Sequence, residues 1–280
     1  MAHDSLMGWA FKPFLLSSWL VMGLLYGISL LWLRRQPDHG IRWHHPLLFI
    51  LAALSTLLLV SSPIDAIGQH RLFTVRMFEY ICLIYGSGAL LLLSLPAVLL
   101  QAFSQSPLRH LLLPFSDLAK NSVLFNSYFF VWHLPEVLTL ALQSAWINEL
   151  QLLSFVISGA LMWLPLLSPY QALRLPLPRQ MFYIAMLILW QIPVFALLTI
   201  SPDQLYASYQ DQPGMYYLTA YGDQQVSGWF LKIVTLHIFA INFIVIFLQW
   251  NRSQRQQDRA DNALAVENFQ LVQRAPQRKG

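Results

Sequence analysis

Four short clusters in this chain carry the residue types that do chemistry. The first runs from Ser62-Pro63-Ile64-Asp65 through His70 to Arg76, Met77, Glu79 and Tyr80. The second is Trp132-His133-Leu134-Pro135-Glu136, and the third is Ser201-Pro202-Asp203-Gln204-Leu205-Tyr206. The fourth is Asp223-Gln224-Gln225. His70 and His133 offer imidazole and Met77 a thioether, a soft donor set that suits Cu(I). His133 and Glu136 stand three residues apart, so on a helix both point the same way. An ionisable residue inside an apolar segment is costly and implies a partner or a task. His133 is therefore open to three readings: a hydrogen bond to a neighbouring helix, a metal ligand, or a proton relay. Arg76 cannot ligate a metal and would repel one. It is free instead to pair with Glu79, Glu136 or Asp223 in a polar network.

The elements that must position these residues follow from composition. Of 280 residues, 56% are hydrophobic and only 11% are charged, against about 25% charged in an ordinary soluble domain. A soluble core of this length cannot hide that much apolar surface, so the chain reads as an all-α membrane protein. About 20 apolar residues are needed to cross about 30 Å of hydrocarbon as a helix. Seven runs meet or approach that length: 14–33, 46–62, 78–103, 122–142, 150–168, 181–200 and 229–250. Pro63 ends the second, and Pro96 is expected to kink the third. The seven-span bundle occupies 1–250, and a polar, basic tail occupies 251–280. A weak amphipathic pattern over 258–272 is outweighed there by polar composition, so the tail is expected to be solvated or to skim the membrane.

Basic residues orient the bundle. With the N-terminus outside and the C-terminus in the cytoplasm, thirteen of the 17 Lys and Arg fall on the cytoplasmic side. Only Lys12, Arg71, Arg76 and Lys232 stay outside. All four chemical clusters then gather on the outer side, as an outer mouth built from Asp65, Arg76, Glu79, Tyr80, Glu136, Asp203 and Asp223. The first apolar run lacks a small-residue cleavage site and reads as a retained span.

Several functions are disfavoured. The basic residues lie in short loops and the tail rather than in a stripe with interleaved aromatics, which argues against nucleic acid as a partner. Cys82 is the single cysteine, so neither an internal disulfide nor a cysteine-based cluster is available. Glycine-rich phosphate loops, HExxH and CxxCH are absent from the sequence. His44-His45 beside Trp43 read as interfacial, His39 and His110 lie on the cytoplasmic side, and His237 is deep in the last run.

Taken together and in order, these motifs resemble the CtaG family of bacterial cytochrome c oxidase assembly factors. Phe155, Ser158-Gly159 and Trp163-Leu164-Pro165 belong to the same pattern, and the resemblance covers about 45–250. It implies a non-enzymatic, seven-span protein of the bacterial inner membrane that helps to produce a haem–copper oxidase. It also implies copper as a candidate cargo at the outer face, with oxidase subunits or other assembly factors as partners besides membrane lipid. His70, Met77 and His133 are the metal candidates. The family commonly carries His-Met-x-x-His where this chain has Arg76-Met77-Phe78-Glu79-Tyr80. Leu152 stands where another histidine is frequent, and Lys232 appears in a helix that is usually apolar. A small-solute or metal-ion transporter, or an accessory subunit of a respiratory complex, are the alternatives.

Overall fold

The computed structural model describes residues 9–35, 40–107, 109–209 and 218–274. Their regular structure is all helical, with no strand among the described residues. His39, Arg278 and Lys279 lie outside them.

Helix α1 (Pro13–Leu33) opens with proline at its first position, where the missing N–H costs nothing. Helix α2 (His44–Ser61) stops at Ser62, whose hydroxyl accepts from the Ile64 amide and so caps the short α3 (Pro63–His70). The next membrane-length stretch, Phe73–Leu93, consists of α4 (Phe73–Ile81), a π-helical turn (Cys82–Ser87) and α5 (Gly88–Leu93). It lies earlier than the 78–103 that hydropathy indicates. Pro96 ends this helix rather than kinking it, because proline bars the residue before it from the helical region. A separate helix, α6 (Ala97–Gln105), then begins, followed by α7 (Arg109–Ser116). The shift at the start matters more, for it moves Arg76, Glu79 and Tyr80 from the mouth of a helix into its interior.

The run expected at 122–142 is not continuous. It divides into α8 (Leu118–Trp132) and α9 (Pro135–Gln143), with the break at His133-Leu134 imposed by Pro135. The chain continues through α10 (Ala145–Leu167), α11 (Leu177–Trp190) and α12 (Ile192–Ile200). Pro193 accounts for the interruption between the last two, because it cannot donate to a preceding carbonyl. Finally α13 (Ala220–Arg274) is one helix of 55 residues. It starts nine residues before the expected 229, so Asp223-Gln224-Gln225 form its first turns. Its far end runs unbroken past Trp250 to Arg274 and is exposed over 254–267, so the polar segment after 250 is helical through Arg274.

Among the described residues, six helical stretches are thus long and apolar enough to cross a membrane, against the seven expected, the broken α8–α9 being the exception. Leu20, Val21, Leu24, Leu25 and Ile28 of α1 are all exposed. Such a continuous apolar surface needs an apolar surround, which lipid provides. Phe73–Leu93 and Ala145–Leu167 are the most buried of the six and form the centre. They cross in backbone contact. A Cβ on Gly159 would lie 2.3 Å from the Ile84 carbonyl oxygen, and one on Gly88 would lie 2.8 Å from the Ala160 nitrogen. Small residues at such a crossing bring the backbones together where no hydrophobic effect drives association.

Candidate functional site

The beginnings of α1, α4, α10 and α13 meet at one end of the bundle, and Arg76 is the centre of what they enclose. Its side chain is completely buried. Nη1 donates to Asp65 Oδ1 at 2.9 Å and to Glu79 Oε2 at 2.7 Å, while Nε donates to the Tyr80 hydroxyl at 3.0 Å. Nη2 donates to Asn148 Oδ1 and to Gln151 Oε1, the second at 3.3 Å. Every edge of the guanidinium is engaged, using the five donors that make arginine suited to buried pairing. The Tyr80 hydroxyl in turn donates to Gln151 Oε1 at 3.0 Å.

The charges balance. Lys12, just before α1, lies 2.6 Å from Asp65 Oδ2, which also accepts from Gln69. Two cations therefore face two carboxylates. Two further carboxylates cap helices from a distance. Glu149 on α10 accepts from the Leu15 amide of α1 at 2.7 Å. Asp223 on α13 accepts from the Phe73 amide at 2.5 Å and from the Thr74 amide and hydroxyl at 3.2 and 2.6 Å. Neither α1 nor α4 has a local side-chain cap, so each leaves its free amides to an acid from another helix. An anion there also meets the positive end of the helix dipole.

The Ser201–Tyr209 turn closes over this end. The Tyr209 hydroxyl donates to the Gly68 carbonyl at 2.5 Å and that of Tyr206 to the His133 carbonyl at 2.8 Å. The second bond satisfies a carbonyl freed by the break before Pro135. Burial pushes both phenols well above the usual tyrosine range, so they stay protonated and serve as neutral donors. Gln224 holds the turn by accepting from the Leu205 amide at 2.8 Å, and Tyr221 donates to the Ser201 carbonyl at 2.9 Å.

Of the residues picked out in the sequence, Asp65, Arg76, Glu79 and Tyr80 come together in one network. Asp223 stands beside it, at the start of α4, and does not pair with Arg76. Glu136 and Asp203 are exposed and form no ion pair among the described residues. His70 is exposed at the end of α3, whereas Met77 and His133 are fully buried. Lys12, Asn148, Glu149 and Gln151 were missed. The signal for two of them was present, because Asn148 and Gln151 sit three apart on one helix face; starting that span at 150 hid it.

As a metal centre the donor set is incomplete, since no group of three or more His, Cys, Asp or Glu stands together among the described residues. One atom does keep ligand character. His133 Nδ1 lies 2.7 Å from the Phe129 carbonyl. A carbonyl only accepts, so Nδ1 carries the proton and the Nε2 lone pair is left buried and without a partner. This arrangement of an imidazole is the one that metal-binding histidines use.

A family model described as cytochrome c oxidase caa3 assembly factor (Caa3_CtaG) matches residues 24–253. The chain belongs to that family. Neither the curated proteins nor the solved structures give a match. The match to the caa3 assembly factors runs from the second half of α1 to Ser253 of α13, and so includes every member of the Arg76 network except Lys12. The family membership and the apolar helices together make this a membrane protein of the oxidase assembly class.

Proposed function

We infer that this chain is a non-enzymatic factor of the bacterial inner membrane that supports assembly of a haem–copper cytochrome c oxidase by docking an oxidase subunit. In this reading it crosses the bilayer seven times, with the Arg76 end outside and the long extension of α13 in the cytoplasm. The broken α8–α9 segment supplies the remaining pass, its 26 positions from 118 to 143 reaching about 39 Å at 1.5 Å per residue. The distribution of Lys and Arg supports the orientation.

The observation that carries the reading is the Arg76 network within a chain of this family. A saturated arginine at the junction of α1, α3, α4 and α10 holds the end of the bundle as one rigid surface. His70, Glu136 and Asp203 stay exposed at that end for a client to meet. Deletion of the gene in its own host, followed by difference spectra and subunit levels of the oxidase, tests this. Loss of assembled oxidase with unchanged transcript is expected, restored by the wild type and not by Arg76→Ala. Unchanged oxidase in the deletion strain would refute it. Reporter fusions at residue 280 and in the Ser201–Tyr209 turn check the orientation, the first active in the cytoplasm and the second outside.

His133 favours a second reading, copper as a cargo passed at the outer face, because its Nε2 is free. His70 and Met77 would then complete the donor set as the client approaches. Copper measured in protein purified in mild detergent, with His133→Ala beside it, separates the two. Stoichiometric copper that disappears in the variant supports transfer, and copper-free protein that retains oxidase subunits supports docking alone.

A further inference from the structure

Away from the Arg76 end, α8 and α10 part to leave a groove of about 330 Å³. Its floor is tied at two places. Tyr128 donates to the Ser154 hydroxyl at one end. At the other, Asn121 Nδ2 donates to the Phe115 and Leu161 carbonyls at 2.7 and 2.9 Å. Tyr128 stands seven positions after Asn121 on α8, so the groove is about 10 Å long. Between the ties the walls are apolar, with Phe125, Ile157 and Leu124 among them. Leu124 and Ile157 remain 45% and 41% exposed, and α10 is a membrane-length helix. The opening therefore faces hydrocarbon and suits an apolar chain.

The far end of the groove is not apolar. Asn121 is fully buried, its two amide N–H groups are held, and its Oδ1 has no partner. A buried acceptor left in that state costs about 1–3 kcal/mol in general, so the site favours a ligand that brings a donor. Lys120, next in sequence, is exposed at the first turn of α8. Arg109 is exposed on α7, which packs against both α8 and α10. The nearby carboxylate of Asp117 is engaged in capping α8, where it accepts from the Lys120 amide at 2.9 Å. We propose that this groove is a binding site for an anionic phospholipid, with one acyl chain between α8 and α10 and the headgroup at the α7–α8 corner. Lys120 and Arg109 attract the phosphate, and a headgroup hydroxyl donates to Asn121 Oδ1. The site is independent of oxidase assembly and of the Arg76 network.

The full-length protein, stripped of lipid in mild detergent, is titrated with dioleoyl phosphatidylglycerol, with dioleoyl phosphatidylcholine, and with glycerol 3-phosphate as the free headgroup. Native mass spectrometry reads bound lipid, and the melting temperature reads folding. One phosphatidylglycerol is expected to be retained, with affinity about fivefold above that of phosphatidylcholine, as one basic side chain near a phosphate supplies. Glycerol 3-phosphate alone should not bind. Ser158→Phe, which fills the groove, or Leu124→Trp at its rim should abolish the bound lipid, and Lys120→Gln together with Arg109→Gln should remove the preference while leaving the chain. Equal retention of the two lipids by the wild type overturns the proposal. So does wild-type retention in either groove-filling variant that melts as a folded protein.

Discussion

Helix α10 is held in two ways along its length, and the contrast shows how a membrane bundle divides its labour. Its first turns join a buried ionic network, where Asn148 and Gln151 accept from Arg76 and Glu149 caps α1. Its middle touches α5 and the π-helical turn through Gly159, with almost nothing between the backbones. The network is directional. Each member is tolerable only because the others are in place, since an uncompensated charge away from water is strongly destabilising. The glycine contact is non-directional and works through close fit alone. The first specifies which helix ends meet, and the second determines how closely their middles approach.

Substitutions can break that contrast. The largest effect is expected for Arg76→Ala, which strands Glu79 and leaves Asp65 with Lys12 as its one cation, and should cost about 3–5 kcal/mol, seen as a lowered melting temperature in detergent. Asp65→Asn with Glu79→Gln, added to Arg76→Gln, should recover part of that loss, because the buried carboxylates are then gone. A triple variant no more stable than Arg76→Ala would show that the arginine acts by packing rather than by charge. Gly159→Ala should cost about 1–3 kcal/mol by overpacking, because the atom it meets is the backbone of Ile84 and not a side chain that can turn away. Unlike Arg76→Ala, its effect should not change with pH. Asp223→Ala removes the cap of α4 and should cost about 0.5–2 kcal/mol, with hydrogen exchange rising first at Phe73 and Thr74. Smallest is Tyr206→Phe, about 0.5–1.5 kcal/mol, checked by the same melting curves and by exchange near the His133 break.

The capping carboxylates explain why boundaries in the sequence were displaced. Hydropathy places helix starts where apolar residues begin, at 78 for the α4 stretch, 150 for α10 and 229 for α13. Each truly begins several residues earlier, in a polar stretch whose amides or side chains are satisfied by another helix. Asp223 serves α4, Glu149 serves α1, and Asn148 serves Arg76. A polar residue that pairs 70 to 150 positions away leaves no local periodicity, so the pattern reads it as loop. The break at His133 was partly legible because Pro135 carries its own geometric restriction. The continuation of α13 past Trp250 was legible only as the weak amphipathic pattern over 258–272, because a mostly polar helix carries little apolar stripe to announce it.

The residues alone determined the class of protein, its apolar helices and the motifs of an oxidase assembly factor, because lipid-facing composition and proline positions act locally. Which of the polar residues meet was decided only by the tertiary structure. Asp65, Arg76, Glu79 and Tyr80 share one interior with Lys12, Asn148 and Gln151, while Glu136 and Asp203 are left at the surface. The physical reason is that a buried charge is stabilised by whatever surrounds it in space, and those surroundings come from helices far apart in the chain.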